Sequence, residues 1–422
     1  MDITTTHRKP AQGQHAQGQH APGHHTQGHH TQAGLGTPAL YAMAVASGIA
    51  VANIYYNQPM LGIIEKDLGQ TSVTGLIPTA TQLGYALGLF FLLPLGDIVH
   101  RRKLIIGQFV ILAAALAVLA VAPSAWFLVG ASLLVGASAT VAQQIVPFAA
   151  TLATPERRGS TIGTVMAGVL SGILFSRTLS GFVGEHAGWR EMFWISVPLA
   201  LAAAVLMFFA LPDHRPTSRM RYRTALVSLA HLWRGKRELR SASLMQAALF
   251  GSFTAFWTIL AFYLETPRFN LGADVAGLFG IVGAVGVFAA PLAGRMADRR
   301  GPHFVVSAGV VLTLLSWVIF GVWGSLAALV IGVIVLDFGV QSTLVSNQHI
   351  VYALDPEARS RLNTIFMTAM FLGGAAGAAL ATFAWGHAGW TGVSLLGASL
   401  AVVALVIRLL DRRVAANAAA GN

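Results

Sequence analysis

The chain has no cysteine and very little charge. Zero cysteines among 422 residues exclude disulfides and thiolate metal sites. Only 10% of the residues are charged, against about 25% in an ordinary soluble domain. Carboxylates are the scarcer sign: 16 Asp and Glu stand against 27 Lys and Arg, for a formal net charge of +11. Hydrophobic residues make up 55% of the chain, and the mean hydropathy is +0.66. A chain this apolar must turn most of its surface to lipid or to its own helices. No spacing matches a Ser-His-Asp triad, a nucleotide-binding loop or a catalytic metal centre, so neither an enzyme nor a cofactor is expected. The positive charge falls in short clusters between apolar runs and not in one patch. That excludes a nucleic-acid surface and reads as membrane topology. The first 35 residues are polar and lack an apolar core, so no cleavable signal peptide is expected.

What the chain has in quantity is long apolar runs. Runs of about 20 residues mark spanning helices. They fall at 38–64, 73–97, 103–122, 125–153, 160–185, 190–211, 243–265, 273–297, 303–322, 325–353, 361–385 and 389–410. An all-α membrane protein with about twelve spans in two six-helix halves is expected. Basic clusters follow every even span: Arg101, Arg102 and Lys103; Arg157 and Arg158; the stretch 212–242; Arg299 and Arg300; Arg359 and Arg361; Arg412 and Arg413. The odd loops hold only Lys66, Arg190 and Arg268. The positive-inside rule then puts both termini in the cytoplasm. The expected division is a His-rich cytoplasmic tail (1–36), an N-terminal half (37–211), a basic linker (212–242), a C-terminal half (243–411) and a short tail (412–422). Within the linker Ala225, Leu226, Leu229 and Leu232 recur at helical spacing. That suits an amphipathic helix on the membrane surface, though a merely solvated linker would also serve topology.

The chain also repeats itself at an offset of 201 residues. Asp97 recurs as Asp298, and Pro155, Glu156 and Arg158 recur as Pro356, Glu357 and Arg359. Gly172 recurs as Gly373, and His186-Ala187-Gly188-Trp189 recurs as His387-Ala388-Gly389-Trp390. Two homologous apolar halves are the mark of a secondary transporter with its substrate site between them. Gly168/Gly172 and Gly373/Gly377 have the four-residue spacing that lets helices approach closely.

Motifs in the loops carry a family resemblance. PLGDIVHRRKLI (94–105) and PLAGRMADRRGPH (291–303) both resemble the G-x-x-x-D-R-x-G-R-[RK] loop of the major facilitator superfamily. The first copy departs from it with Leu93 and His100 where glycines would stand; the second keeps Gly294, Asp298, Arg299 and Gly301. ANIYYNQPM (52–60), LDFGVQSTLVSNQ (336–348) and ARSRLN (358–363) resemble bacterial drug:proton antiporters of the arabinose-efflux-like type. That branch's G-P-x-x-G-G element of span 5 is represented by Ser176-Arg177-Thr178-Leu179-Ser180-Gly181, where only the last glycine matches, and its span-4 arginine falls at Ser132. The resemblance implies a monomeric, multi-pass inner-membrane protein and a gate at the cytoplasmic ends of spans, formed by Asp97, Arg101, Arg102, Asp298 and Arg299.

Ionisable groups inside spans cost roughly 2.5–3.5 kcal/mol on insertion scales and mark function by default. Two stand out. Arg177 lies about 25 Å up span 5 from its cytoplasmic end, and Asp337 lies about 24 Å from that end of span 10. At equal depth, one in each half, they are expected to pair or to face one aqueous cavity; the structural alternative is a buried ion pair that fixes packing. Polar groups gather at the same level: Asn53, Tyr55, Tyr56, Asn57 and Gln58 in span 1, Gln143 and Gln144 in span 4, and Gln341 one turn beyond Asp337, followed by Asn347 and Gln348. The repeat maps Tyr55-Tyr56 onto Phe256-Trp257, which gives aromatic pairs on both sides of a cavity able to stack flat ligands. Taken singly, any of these could simply link helices.

Residues 11–30 read AQGQH, AQGQH, APGHH, TQGHH. This tail cannot build a core and is expected to lack a fold. His15, His20, His24, His25, His29 and His30 can bind Ni²⁺, Zn²⁺ or Cu²⁺, although no carboxylate joins them and the spans offer no ligand set. The leading expectation is proton-coupled export of a small organic molecule, its partners being that substrate, protons and the lipid bilayer. A metal-ion exporter (Ni, Zn or Co) fed by the tail and a non-transporting membrane receptor are the alternatives.

Overall fold

The computed structural model describes residues 36–420 apart from 70, 97, 155 and 213–220. The histidine tail and Asp97 lie outside the described residues. The described chain is helical. Span 1 is α1 (Thr37–Ala52) and α2 (Asn57–Leu68), and a short α3 (Thr71–Thr74) leads into span 2, α4 (Leu76–Leu95). Span 3 is α5 (Arg101–Ala120); span 4 is α6 (Ala125–Ala139) and α7 (Val141–Leu152). Spans 5 and 6 are α8 (Arg158–His186) and α9 (Trp189–Ala210). After α10 (Tyr222–Gly235), span 7 is α11 (Arg237–Leu264) and span 8 is α12 (Ala273–Gly283) with α13 (Val285–Arg300). Spans 9 and 10 are α14 (Pro302–Val322) and α15 (Leu326–Ala353). The last helix, α16 (Arg359–Ala420), is interrupted by non-helical Ala388 and Gly389, so it supplies spans 11 and 12.

Ten described helices are long and apolar enough to cross a membrane. Dividing α16 at Gly389 and joining α12 to α13 brings the crossings to the expected twelve. The boundaries differ in two places. Span 7 begins at Arg237, inside the stretch assigned to the linker, and α16 stays helical to Ala420 where a tail was expected. The linker does hold an amphipathic helix: in α10, Ala225 and Leu229 are buried, and Leu226 and Leu232 pack on the core.

Helix breaks have local causes. Pro59 has no N–H and its ring clashes with the carbonyl four residues back, that of Tyr55. Span 1 therefore turns at Asn53–Tyr56, and the Tyr55 carbonyl accepts instead from the Gln58 amide at 3.2 Å. Span 8 breaks at Ala284, inside the glycine-rich run Gly280–Gly286, where helix propensity is weakest.

The repeated residues are scaffold. Gly168 and Gly172 lie against the backbone of Ala44 and Gly48 in α1, and Gly373 and Gly377 against that of Ala247 and Gly251 in α11. A Cβ at any of these four would overlap main-chain atoms, so spans 1 and 5, and likewise 7 and 11, meet backbone to backbone. The two His-Ala-Gly-Trp runs make matching turns, with φ of 121° at Gly188 and 54° at Gly389.

Closure between the halves is concentrated at the end of the bundle away from the basic loops. There Lys66 pairs with Glu265 at 2.7 Å, and the Glu185 carboxylate accepts from the Ala273 amide, the first of α12, at 2.9 Å. The Thr382 hydroxyl donates to the Gly75 carbonyl at 2.9 Å. α8 packs along α12, whereas α13 turns to α14 and α15. The halves are thus pinned at the far face and part between α8 and α13 toward the basic face.

Candidate functional site

Arg177 and Asp337 come to the middle of the bundle from α8 and α15, 4% and 5% exposed. No ion pair joins them among the described residues. Of the two expected arrangements, direct pairing is the one the structure does not adopt. Arg177 has other partners. Arg177 donates through Nε to Gln58 Oε1 at 2.9 Å. Its guanidinium lies over the Trp257 ring at 3.9 Å and over the Tyr55 ring at 4.6 Å from the centroids. Such stacking contributes about 2 kcal/mol or more once water is excluded. The break in span 1 delivers both Tyr55 and Gln58 to this point.

Asp337 lies near Trp257 as well. A Cβ at Gly283 would stand 3.0 Å from the Trp257 ring and 3.4 Å from both Asp337 carboxylate oxygens. One at Gly286 would stand 3.1 Å from the Asp337 Cβ and 3.3 Å from the Gln341 Cγ. Farther along α12, Gly280 meets the Arg177 side chain and Gly277 the Arg177 carbonyl. The glycines of span 8 thus let its backbone run beside both charges. Three polar atoms here have no hydrogen-bond partner among the described residues: Arg177 Nη2, Asp337 Oδ2 and Trp257 Nε1. Buried polar groups are nearly always satisfied, so these three are free to meet a further partner.

The remaining expected residues divide. The aromatic pairs split: Tyr55 and Trp257 face Arg177, while Phe256 stacks on Phe320 at 4.6 Å and Tyr56 turns to Ser196 in α9. Gln143 lies near Tyr85, whose ring lies 4.2 Å from that of Phe371 in the other half. Two residues are corrected. Gln144 donates to Gln108 Oε1 at 2.7 Å and to the Leu92 carbonyl at 3.2 Å, and so ties span 4 to spans 3 and 2. Asn57 donates to Thr81 Oγ1 at 2.9 Å and ties span 1 to span 2. Gln58, one of the polar residues expected at this level, holds Arg177. Its signal was its place beside Pro59 at the break.

At the basic face Arg101 donates to the Gly96 carbonyl at 2.9 Å. Arg102 donates to the Phe208 carbonyl at 2.5 Å, near the C-terminal end of α9, where a cation is favoured. Asp298 and Arg299 are exposed, and Asp298 has no ion pair with a described residue. Among the described residues no three potential ligands stand together as a metal site.

A two-half helical bundle with buried opposite charges at its waist defines a multi-pass membrane transporter. The chain belongs to the Major Facilitator Superfamily, whose family model matches residues 43–304 and 268–421. The Escherichia coli O157:H7 protein named "Uncharacterized transporter YgaY" is 40% identical over 90% of this chain and 98% of its own length. The Lactococcus lactis protein named "Multi-drug resistance efflux pump PmrA homolog" is 25% identical over 74% of this chain and 78% of its own length. The fold is that of a bacterial homolog to the human lysosomal transporter Spinster, inward-facing and unoccupied. The TM-score is 0.73 at 15% identity, covering 89% of this chain and 96% of that one. Bacterial transporters among the relatives support a place in a bacterial inner membrane.

Proposed function

We propose that the chain exports a small organic molecule in exchange for protons, as a monomer working by alternating access. One observation carries the reading: Arg177 and Asp337 come from opposite halves, are buried at the waist, and do not neutralise each other directly. A carboxylate in that position can be emptied or filled by a proton, and the charged or titratable groups facing it are Arg177 and Tyr55. Protonation removes the negative charge opposite Arg177 and so changes how the two halves attract each other through the site. Tyr55, Trp257 and Gln341 supply the surrounding surface. Basic loops on one face support both termini in the cytoplasm, and the parting of α8 from α13 is then the inward-open state. Exposed Asp298 and Arg299 suit a parted gate, whose other copy is built on Asp97 with Arg101 and Arg102. Export is favoured by the sequence motifs of the antiporter branch and by the name of the Lactococcus relative.

Everted membrane vesicles energised to hold an acidic lumen test the reading. A transported compound should discharge the pH gradient with the native chain and not with Asp337→Asn. If Asp337→Asn pumps against a gradient at the native rate, the coupling carboxylate lies elsewhere.

A further inference from the structure

We infer that the central site takes a zwitterion, a small molecule carrying one cationic and one anionic group on an apolar or aromatic body. The inference rests on the transport reading above and gives its substrate class. The site offers a guanidinium and a carboxyl group, 4% and 5% exposed, with no ion pair between them among the described residues. Each keeps an unpartnered atom, Arg177 Nη2 and Asp337 Oδ2. Gln58 and the two aromatic rings hold the guanidinium still, so its free edge has a set direction. Trp257 stands beside both charges and leaves its own Nε1 unpartnered.

Charge balance selects among ligand classes. A monocation would neutralise Asp337 and leave a buried guanidinium without its anion. A monoanion would do the reverse. Either outcome leaves one ion desolvated and unpaired, the costly condition for a buried charge. A neutral apolar molecule would leave both. With Asp337 ionised, a ligand bearing both signs satisfies both sides, and the faces of Tyr55 and Trp257 then pack its body. The bare backbone at Gly283 and Gly286 lets span 8 pack directly beside Asp337.

Two matched triplets test this on the purified full chain in detergent: phenylalanine, phenethylamine and phenylacetate, then leucine, isopentylamine and isovalerate. Melting temperature and tryptophan fluorescence report binding. At least one amino acid should bind at a concentration at least tenfold below that of its matched amine and acid. Arg177→Gln should lower the preference to the level of the amine, Asp337→Asn to that of the acid, and Arg177→Lys should keep it. The inference is overturned if an amine or an acid binds as tightly as its amino acid, or if no member of either triplet registers. Flux into proteoliposomes separates the two readings. Transport of the amine alone sinks the zwitterion and spares the transporter. Tight amino-acid binding without flux in either direction does the opposite.

Discussion

The two halves of the molecule are copies in their scaffold and strangers in their chemistry. Positions 201 residues apart play the same structural role. Gly172 and Gly373 seat a helix on its neighbour, Gly188 and Gly389 turn the chain, and Ser124 and Ser325 cap spans 4 and 10. The central residues have no such echo. Arg177 corresponds to Ala378, Asp337 to Gly136, Gln58 to Ile259 and Gln341 to Thr140. A two-fold scaffold needs the same residue on both sides wherever backbones meet. A polar centre needs opposite signs on its two sides. The lesson is that identity under the repeat marks packing, whereas loss of identity at buried polar positions marks the candidate site.

The largest expected effect breaks that asymmetry. Arg177→Gln or Asp337→Asn makes one side of the centre neutral and leaves the other charged. A hydrogen bond to a charged group contributes about 1.5–3 kcal/mol, so substrate affinity should fall on the order of 10–100-fold. Membrane levels should hold, since neither side chain supports the other through an ion pair. Transport assays on reconstituted variants decide it. An unchanged affinity in both variants would return the two charges to the scaffold.

Next come the shared scaffold positions. Gly172→Val and Gly373→Val should each force a helix off its partner, at about 1–3 kcal/mol or more. The two losses should be similar, because each glycine meets the main chain of a neighbouring helix. Thermal unfolding in detergent measures both. A large loss at one and none at the other would show that the halves are less alike in energy than in shape.

Much of this was legible beforehand. The spans, the repeat, the glycine pairs and the equal depth of Arg177 and Asp337 follow from hydropathy, offset and rise per residue. Long-range polar pairings did not follow. Gln144 looked like a cavity residue because nothing in its surroundings names Gln108 as the partner 36 positions back. Tyr55 and Tyr56 are adjacent and chemically alike, but a turn sends one to Arg177 and the other to Ser196. The far-face closure through Lys66, Glu265 and Glu185 was missed too, although charged residues at helix ends on otherwise neutral loops were there to see. The partners of such groups depend on how the halves dock, which hydropathy does not encode.

The two motif loops give a smaller test. α13 runs unbroken to Arg300 and then turns at Gly301, with φ 84° and ψ 150°. The first copy unwinds at Gly96, and the residue matching Gly301 is His100, with φ −59° and ψ 105°. The departure from the family pattern is therefore a departure of backbone: the glycine is absent where no left-handed residue is needed. Gly301→Ala should cost on the order of 1–3 kcal/mol of local stability, whereas His100→Ala should cost little through its backbone. Hydrogen exchange at the amides that follow each position reads the difference. Equal protection losses would mean that the loops are not distinguished by this turn.

The smallest expected effect asks whether the repeat extends to energies. Ser124 accepts from the Phe127 amide at 3.4 Å, and Ser325 from the Ala328 amide at 3.2 Å. Each satisfies one of the four amides that a helix start leaves without partners. Both sit at extended backbone angles, as an N-cap residue should. Replacing either by Ala removes the acceptor and leaves the turn intact, so each should cost about 1 kcal/mol. The pair should agree within a few tenths, since caps at distant sites act independently and their costs add. Melting curves of Ser124→Ala, Ser325→Ala and the double variant check all three statements at once. A double variant that loses far more than the sum would show the two caps to be coupled through docking of the halves, and the repeat would then be one cooperative unit and not two.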